Sequence, residues 1–181
     1  MNSWGVPPAP WRTRLSWLST NDLWAHEVFA MAGAKDRHVT VAMNLAFDLR
    51  QHLSGSPCRM YMSDMRLHVA AANSYFYPDV LVTCTALDQA SAMVKSEPRL
   101  IVEVLSQTAA AYDRGLKFGH YRALPSLEEY LLVHLDTGAC DCYRKGADEC
   151  PFCVAGSPSH AAECLAGMAA GTICARIKKV Y

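Results

Sequence analysis

The stretch "RLIVEVLS", Arg99–Ser106, decides the fold. Leu, Ile and Val fill it, and the β-branched Ile and Val pack well on a pleated surface. A short apolar run with no helical period reads as a buried strand. Strand alternation puts Ile101, Glu103 and Leu105 on one face and Leu100, Val102 and Val104 on the other. Glu103 is the interruption. A carboxylate taken out of water is strongly unfavourable unless it is paired or holds a metal. Either this strand has a wet face or the acid has a job.

Upstream, "YFYPDVLVTC" (Tyr75–Cys84) reads as another strand, with Pro78 near its start, where a missing N–H is tolerated. Before it, "CRMYMSDMRLHVA" (Cys58–Ala70) nearly alternates, with a slip at Ser63-Asp64 that predicts a β-bulge. "KDRHVTVAMNLAFDLRQHLSGS" (Lys35–Ser56) predicts a helix, from Val41, Leu45 and Leu49 at four-residue spacing and Gly55 past its end. "AHEVFAMAG" (Ala25–Gly33) predicts a short strand, and residues 1–20 a loosely ordered arm.

Downstream, "SAMVKSEP" (Ser91–Pro98) reads as a connection and "QTAAAYDRGLKFGHYRAL" (Gln107–Leu124) as a second helix, with Gly115 and Gly119 as weak points and Pro125 as its stop. "EEYLLVHL" (Glu128–Leu135) and "ACDCYRK" (Ala139–Lys145) read as strands joined by a tight turn at "DTG". Residues 146–181 give little periodicity. The order implies a mixed α/β domain over residues 21–181, a single sheet flanked by helices.

Three polar residues are placed to meet. Consecutive strands usually pair, which would bring Asp79 near Glu103. The following helix carries Asp113, Lys117 and Tyr121 on one stripe, so a helix packed across the sheet would bring Lys117 to the carboxylates. Hard divalent cations take oxygen ligands, often one or two carboxylates plus water and phosphate oxygens. Such an ion acidifies water and offsets charge on phosphoryl oxygens, and a nearby ammonium stabilises the developing anion. The set suits phosphodiester hydrolysis. Bland readings stand beside it: Asp79 as an Asx turn, Glu103 on a solvated edge strand, and Asp113 with Lys117 as a surface pair.

These residues also resemble a known family. Pro78-Asp79, then "EVLS", then Asp113-Arg114-x-x-Lys117-x-x-x-Tyr121, then "SLEEYLLV" (Ser126–Val133) are similar to the motifs of the Uma-two family of restriction endonucleases. "EVFAMAG" and "LRQHLSGSPCRMYMSDMRL" extend the likeness from about Glu27 to about Tyr143. The resemblance implies the αβββαβ core of the PD-(D/E)XK nuclease superfamily. It implies Asp79 and Glu103 as ligands of Mg²⁺ or Mn²⁺, with the Val104 carbonyl as a further ligand. The superfamily motif has a lysine two residues after the glutamate, where this chain has Leu105; Lys117 matches the family's displaced lysine. Tyr121 and Asp113 would support the site, and Glu27 and His38 are further candidates. His38 also has an ordinary reading as a capping or solvent-facing side chain. "DLWAHE" (Asp22–Glu27) departs from the family's more acidic opening, and no proline follows Ser106.

Bulk properties narrow the class. The 181 residues carry no net charge, with 17 basic and 17 acidic side chains, and the pI is about 7.0. A DNA substrate would therefore meet only a local basic patch. No apolar run is long enough for a membrane helix, and the N-terminal stretch has no signal-peptide core. The expectation is a cytoplasmic protein whose eight cysteines are reduced thiols. "CDCYRKGADECPFC" (Cys140–Cys153), with Cys150 and a later His160, offers zinc-type ligands, but Cys140 and Cys142 share a strand face as core cysteines do, and zinc is the weaker reading. A homodimer would suit cleavage of both strands. The competing function is a catalytically degenerate module of the same fold that binds DNA or a protein partner.

Overall fold

The computed structural model describes residues 35–106 and 113–145 in full, and the backbone of three short strands outside them. In chain order the elements are β1 (Asn21–Trp24), β2 (Glu27–Ala30), α1 (Asp36–His52), β3 (Arg59–Met62), β4 (Arg66–Val69), β5 (Ser74–Phe76) and β6 (Val80–Thr83). There follow α2 (Ala86–Ala90), β7 (Val94–Lys95), β8 (Pro98–Leu105), a π-helical turn (Asp113–Lys117) running into α3 (Phe118–Tyr121), β9 (Glu129–His134), β10 (Cys140–Arg144) and β11 (Cys153–Val154). The N-terminal arm and most of the C-terminal tail lie outside the described residues. No described helix is long and apolar enough to cross a membrane.

The central sheet is mixed and runs β11-β10-β9-β8-β6-β3. β8 lies in the middle, antiparallel to β6 and parallel to β9. A parallel pair needs a crossover, and the segment holding the π-helical turn and α3 supplies it. This is the αβββαβ order expected from the sequence.

β8 is apolar on both faces because both are covered. On one face Leu100, Val102 and Val104 join Val80, Val82, Leu131 and Val133 against Val41, Ala42, Leu45, Ala46 and Leu49 of α1. On the other, Ile101 and Leu105 pack with Leu81, Tyr130 and Leu132 against Tyr121, Leu124 and Leu127 and against Leu67, Val69 and Phe76 of a second sheet. The alternation read from "RLIVEVLS" therefore divides two separate cores.

The second sheet, order β2-β1-β5-β4-β7, replaces the single sheet that the sequence suggested. The expected bulge at Ser63-Asp64 is a chain reversal, closed by the Met65 N–H donating to the Met62 carbonyl at 2.8 Å. It sends β3 into the central sheet and β4 into the other. Pro78 has a matching effect. It cannot donate to a ladder, and the expected strand Tyr75–Cys84 divides there into β5 in the second sheet and β6 in the central one. The supposed connection at Ser91–Pro98 contains β7, parallel to β4. Before it lies α2, whose first turn is capped by the Thr85 hydroxyl accepting from the Asp88 N–H at 3.3 Å.

α1 ends at His52, with Gly55 at φ +80° just beyond, a conformation that suits glycine. Gly138, at φ +65°, shapes the predicted "DTG" turn between β9 and β10. Residues 107–112 of the expected second helix lie outside the described residues.

The cysteines require a correction. Cys58 and Cys84 form a disulfide across the register Arg59↔Thr83 carried one pair further. Reading all eight as reduced thiols overlooked a long-range strand pairing that no local pattern reveals. Cys140 and Cys142 carry no disulfide and pack into the α1-side core, as core cysteines on one strand face should.

The disulfide closes a separation of 26 residues, which in a chain-entropy picture is worth about 3 kcal/mol. A Cys58→Ala, Cys84→Ala variant should lose up to about this much in denaturant unfolding against the oxidised parent. Equal midpoints, with oxidation of the parent verified, would contradict a stabilising role for the bridge.

Candidate active site

β8 delivers Glu103 to the face occupied by α3, and the residue is 3% exposed. Its Oε1 accepts a hydrogen bond from the Tyr121 hydroxyl at 2.9 Å and one from Lys117 Nζ at 3.3 Å. Lys117 Nζ also lies 3.5 Å from Asp113 Oδ1. Four-residue spacing thus brings Asp113, Lys117 and Tyr121 to one side across the π-helical turn and α3, as the sequence suggested, and all three are buried. π-turns of this kind recur at functional sites. The wet-edge reading of Glu103 and the surface-pair reading of Lys117 both fail on burial.

Asp79 sits between Pro78 and the start of β6. The β6–β8 register pairs Val80 with Val102, so one further step sets Asp79 opposite Glu103. Past the end of that ladder the Val104 N–H has no β6 carbonyl, and Asp79 Oδ2 accepts from it at 2.7 Å. The same oxygen is 3.2 Å from His38 Nε2, in the first turn of α1. The hydrogen bond to Asp79 raises the His38 pKa. Burial opposes it, and the Asp79 charge and a hydrogen bond with the Val104 backbone add to the rise. His38 is therefore neither a cap nor a solvent-facing side chain.

Leu105 lies in the core and cannot stand in for a lysine. Glu27 pairs with Trp24 on β2, the outer strand of the second sheet, and its side chain lies outside what is described. Two residues escaped the sequence reading. Tyr130 of β9 donates its hydroxyl to the Asp113 carbonyl at 3.0 Å and stacks edge-on with Tyr121 at 5.5 Å, which fixes the lysine-bearing segment against the sheet. Its alternation with Leu132 was the available signal. His134, opposite Leu105, bonds to Asp141 at 2.8 Å and to the half-exposed Arg114 at 3.1 Å. This forms a polar rim beside the buried group.

No three described His, Cys, Asp or Glu side chains converge as a metal cluster. Two carboxylates and a backbone carbonyl nonetheless match in type a hard cation that completes its shell with water and phosphate oxygens. They do not match zinc, which favours nitrogen and sulfur. Of the proposed zinc ligands, Cys150, His160 and the Cys153 side chain lie outside what is described.

The fold, with a helical crossover packed over β8, has a solved counterpart. A solved structure described as "a putative nuclease belonging to DUF820", from Anabaena variabilis ATCC 29413, matches with a TM-score of 0.64 over 87% of this chain and 90% of that one. At 12% identity this is a likeness of fold. The chain belongs to the Uma2 family, described as "Putative restriction endonuclease", whose pattern matches residues 20–169. Two proteins of Synechocystis sp. (strain ATCC 27184 / PCC 6803 / Kazusa) are similar. They are slr1290, 37% identical over 67% of this chain and 64% of its own length, and sll1609, 39% identical over 67% and 70%.

Two outcomes follow for the metal-free protein. A folded-state pKa raised above the ordinary 6.5 means that the His38–Asp79 contact stabilises fully below that value and is lost as pH rises through the raised one. NMR titration should place His38 above 6.5, and Asp79→Asn should bring it down. An unchanged His38 in that variant would contradict the contact. Lys117→Ala should destabilise by about 3–5 kcal/mol, because it strands the Glu103 carboxylate in the core. A loss near zero in chemical denaturation would mean that the pair is not buried.

Proposed function

We propose that this protein is a Mg²⁺- or Mn²⁺-dependent endonuclease that hydrolyses phosphodiester bonds in DNA. The observation that carries the reading is the buried Lys117–Glu103 pair, with both side chains 4% exposed, set opposite Asp79 at the entry to the neighbouring strand β6. A soluble fold has little structural reason to bury such a pair, since apolar residues of similar volume often stabilise as well or better. Family membership supports DNA as the substrate class.

In this reading Asp79, Glu103 and the Val104 carbonyl hold the cation. Such an ion, when bound, would supply a more acidic water and offset charge on the phosphoryl oxygens. The chain's own groups do the rest. Lys117 presents its ammonium to the anionic charge that builds on the phosphoryl group. Tyr121 holds the Glu103 carboxylate in one orientation, and His38 does the same for Asp79. Asp113 keeps Lys117 aimed at Glu103. Arg114, exposed on the rim, meets the phosphate backbone by charge alone, in keeping with a neutral protein whose non-specific affinity should be modest.

The alternative, a degenerate module that binds without turnover, draws support from the internal pairing of both carboxylates. A cleavage assay on plasmid and single-stranded DNA with Mg²⁺ or Mn²⁺ separates the two. Wild type should cut only with the divalent ion. Glu103→Gln and Lys117→Met, checked for folding, should lose on the order of 100-fold or more. Cutting that survives Glu103→Gln sinks the assignment. Salt-sensitive binding with no turnover under any metal supports the module instead.

A further inference from the structure

The outer face of α1 carries a stripe that the other described residues leave uncovered. Val39, Met43 and Phe47 are 49%, 56% and 62% exposed. Asp36 stands before them and Arg50 after them, both exposed. With successive helix residues about 100° apart, these five positions fall within an arc of about 80°. The core-facing residues Val41, Ala42, Leu45, Ala46 and Leu49 lie to one side of that arc. Three large apolar side chains in a row, closed at each end by a charge of opposite sign, are more than scattered surface hydrophobes.

We propose that this face is where two copies of the chain meet, α1 against α1, antiparallel, about a two-fold axis at Met43. The charge order selects that occupant. A two-fold axis at Met43 pairs each position with its mirror in number. Met43 meets its own copy, Val39 meets Phe47, and Asp36 meets Arg50, the last pair formed twice. An isologous contact requires this self-complementarity. Parallel packing would instead set Asp36 against Asp36 and Arg50 against Arg50. A contact with an apolar centre and a charged rim has the anatomy of a protein interface. The inference does not depend on the nuclease reading, because none of these five side chains belongs to the buried site.

The test is sedimentation velocity of the full chain over a concentration series, with circular dichroism to confirm folding. Wild type should sediment as a dimer at high concentration. Met43→Lys, a surface change that leaves the fold intact, should weaken association by on the order of 100-fold. Asp36→Lys alone should also weaken it, and adding Arg50→Glu should restore it, since the swapped charges again oppose each other. A dimer indifferent to Met43→Lys, or unrescued by the double swap, overturns this geometry. A chain that stays monomeric at every concentration overturns the dimer itself and leaves the face to a different partner.

Discussion

A carboxylate at the centre of a two-sided sheet must be answered by a cation from outside that sheet. Glu103 is answered by Lys117, with Tyr121 sharing the same oxygen. This sets the position of the crossover segment. Lys117 and Tyr121 must both reach one point of β8, which fixes the π-helical turn and α3 over the face that also carries Ile101 and Leu105. Tyr130 then closes the segment from the next strand by holding the Asp113 carbonyl. The group costs stability relative to an apolar core and concentrates charge where β6, β8 and the crossover meet. Natural folds accept such costs at functional sites.

The second sheet explains how Asp79 reaches that place. The chain leaves β5, passes Pro78 and enters β6, so Asp79 stands at the joint between two sheets rather than inside a strand. There its side chain replaces a missing ladder partner for the Val104 N–H. One carboxylate is thus tied to the end of the central sheet and to α1 through His38, and the other to α3.

The sequence carried the centre of this arrangement more clearly than its surroundings. β8 and its alternation follow from side-chain period alone, and the stripe Asp113–Lys117–Tyr121 follows from helical spacing. The displacement of the lysine from the Leu105 position to Lys117 was legible only through the family motif. The division of Cys58–Ala70 and Tyr75–Cys84 into strands of two sheets was not legible, because each half keeps the same alternation and nothing local tells which sheet it joins. The Cys58–Cys84 bridge was hidden for the same reason, since it depends on the register of β3 with β6. Tyr130 escaped the reading because its hydroxyl acts on a carbonyl that no residue pattern announces.

We propose that Asp79 and Glu103 act together as one divalent-cation site. Calorimetric titration of Mn²⁺ into the purified protein at neutral pH tests it most directly, beside Asp79→Asn and Glu103→Gln variants shown to be folded. The wild type should bind saturably, and both variants should lose that binding. Binding that persists unchanged in either variant, or no saturable binding in the wild type, would contradict it.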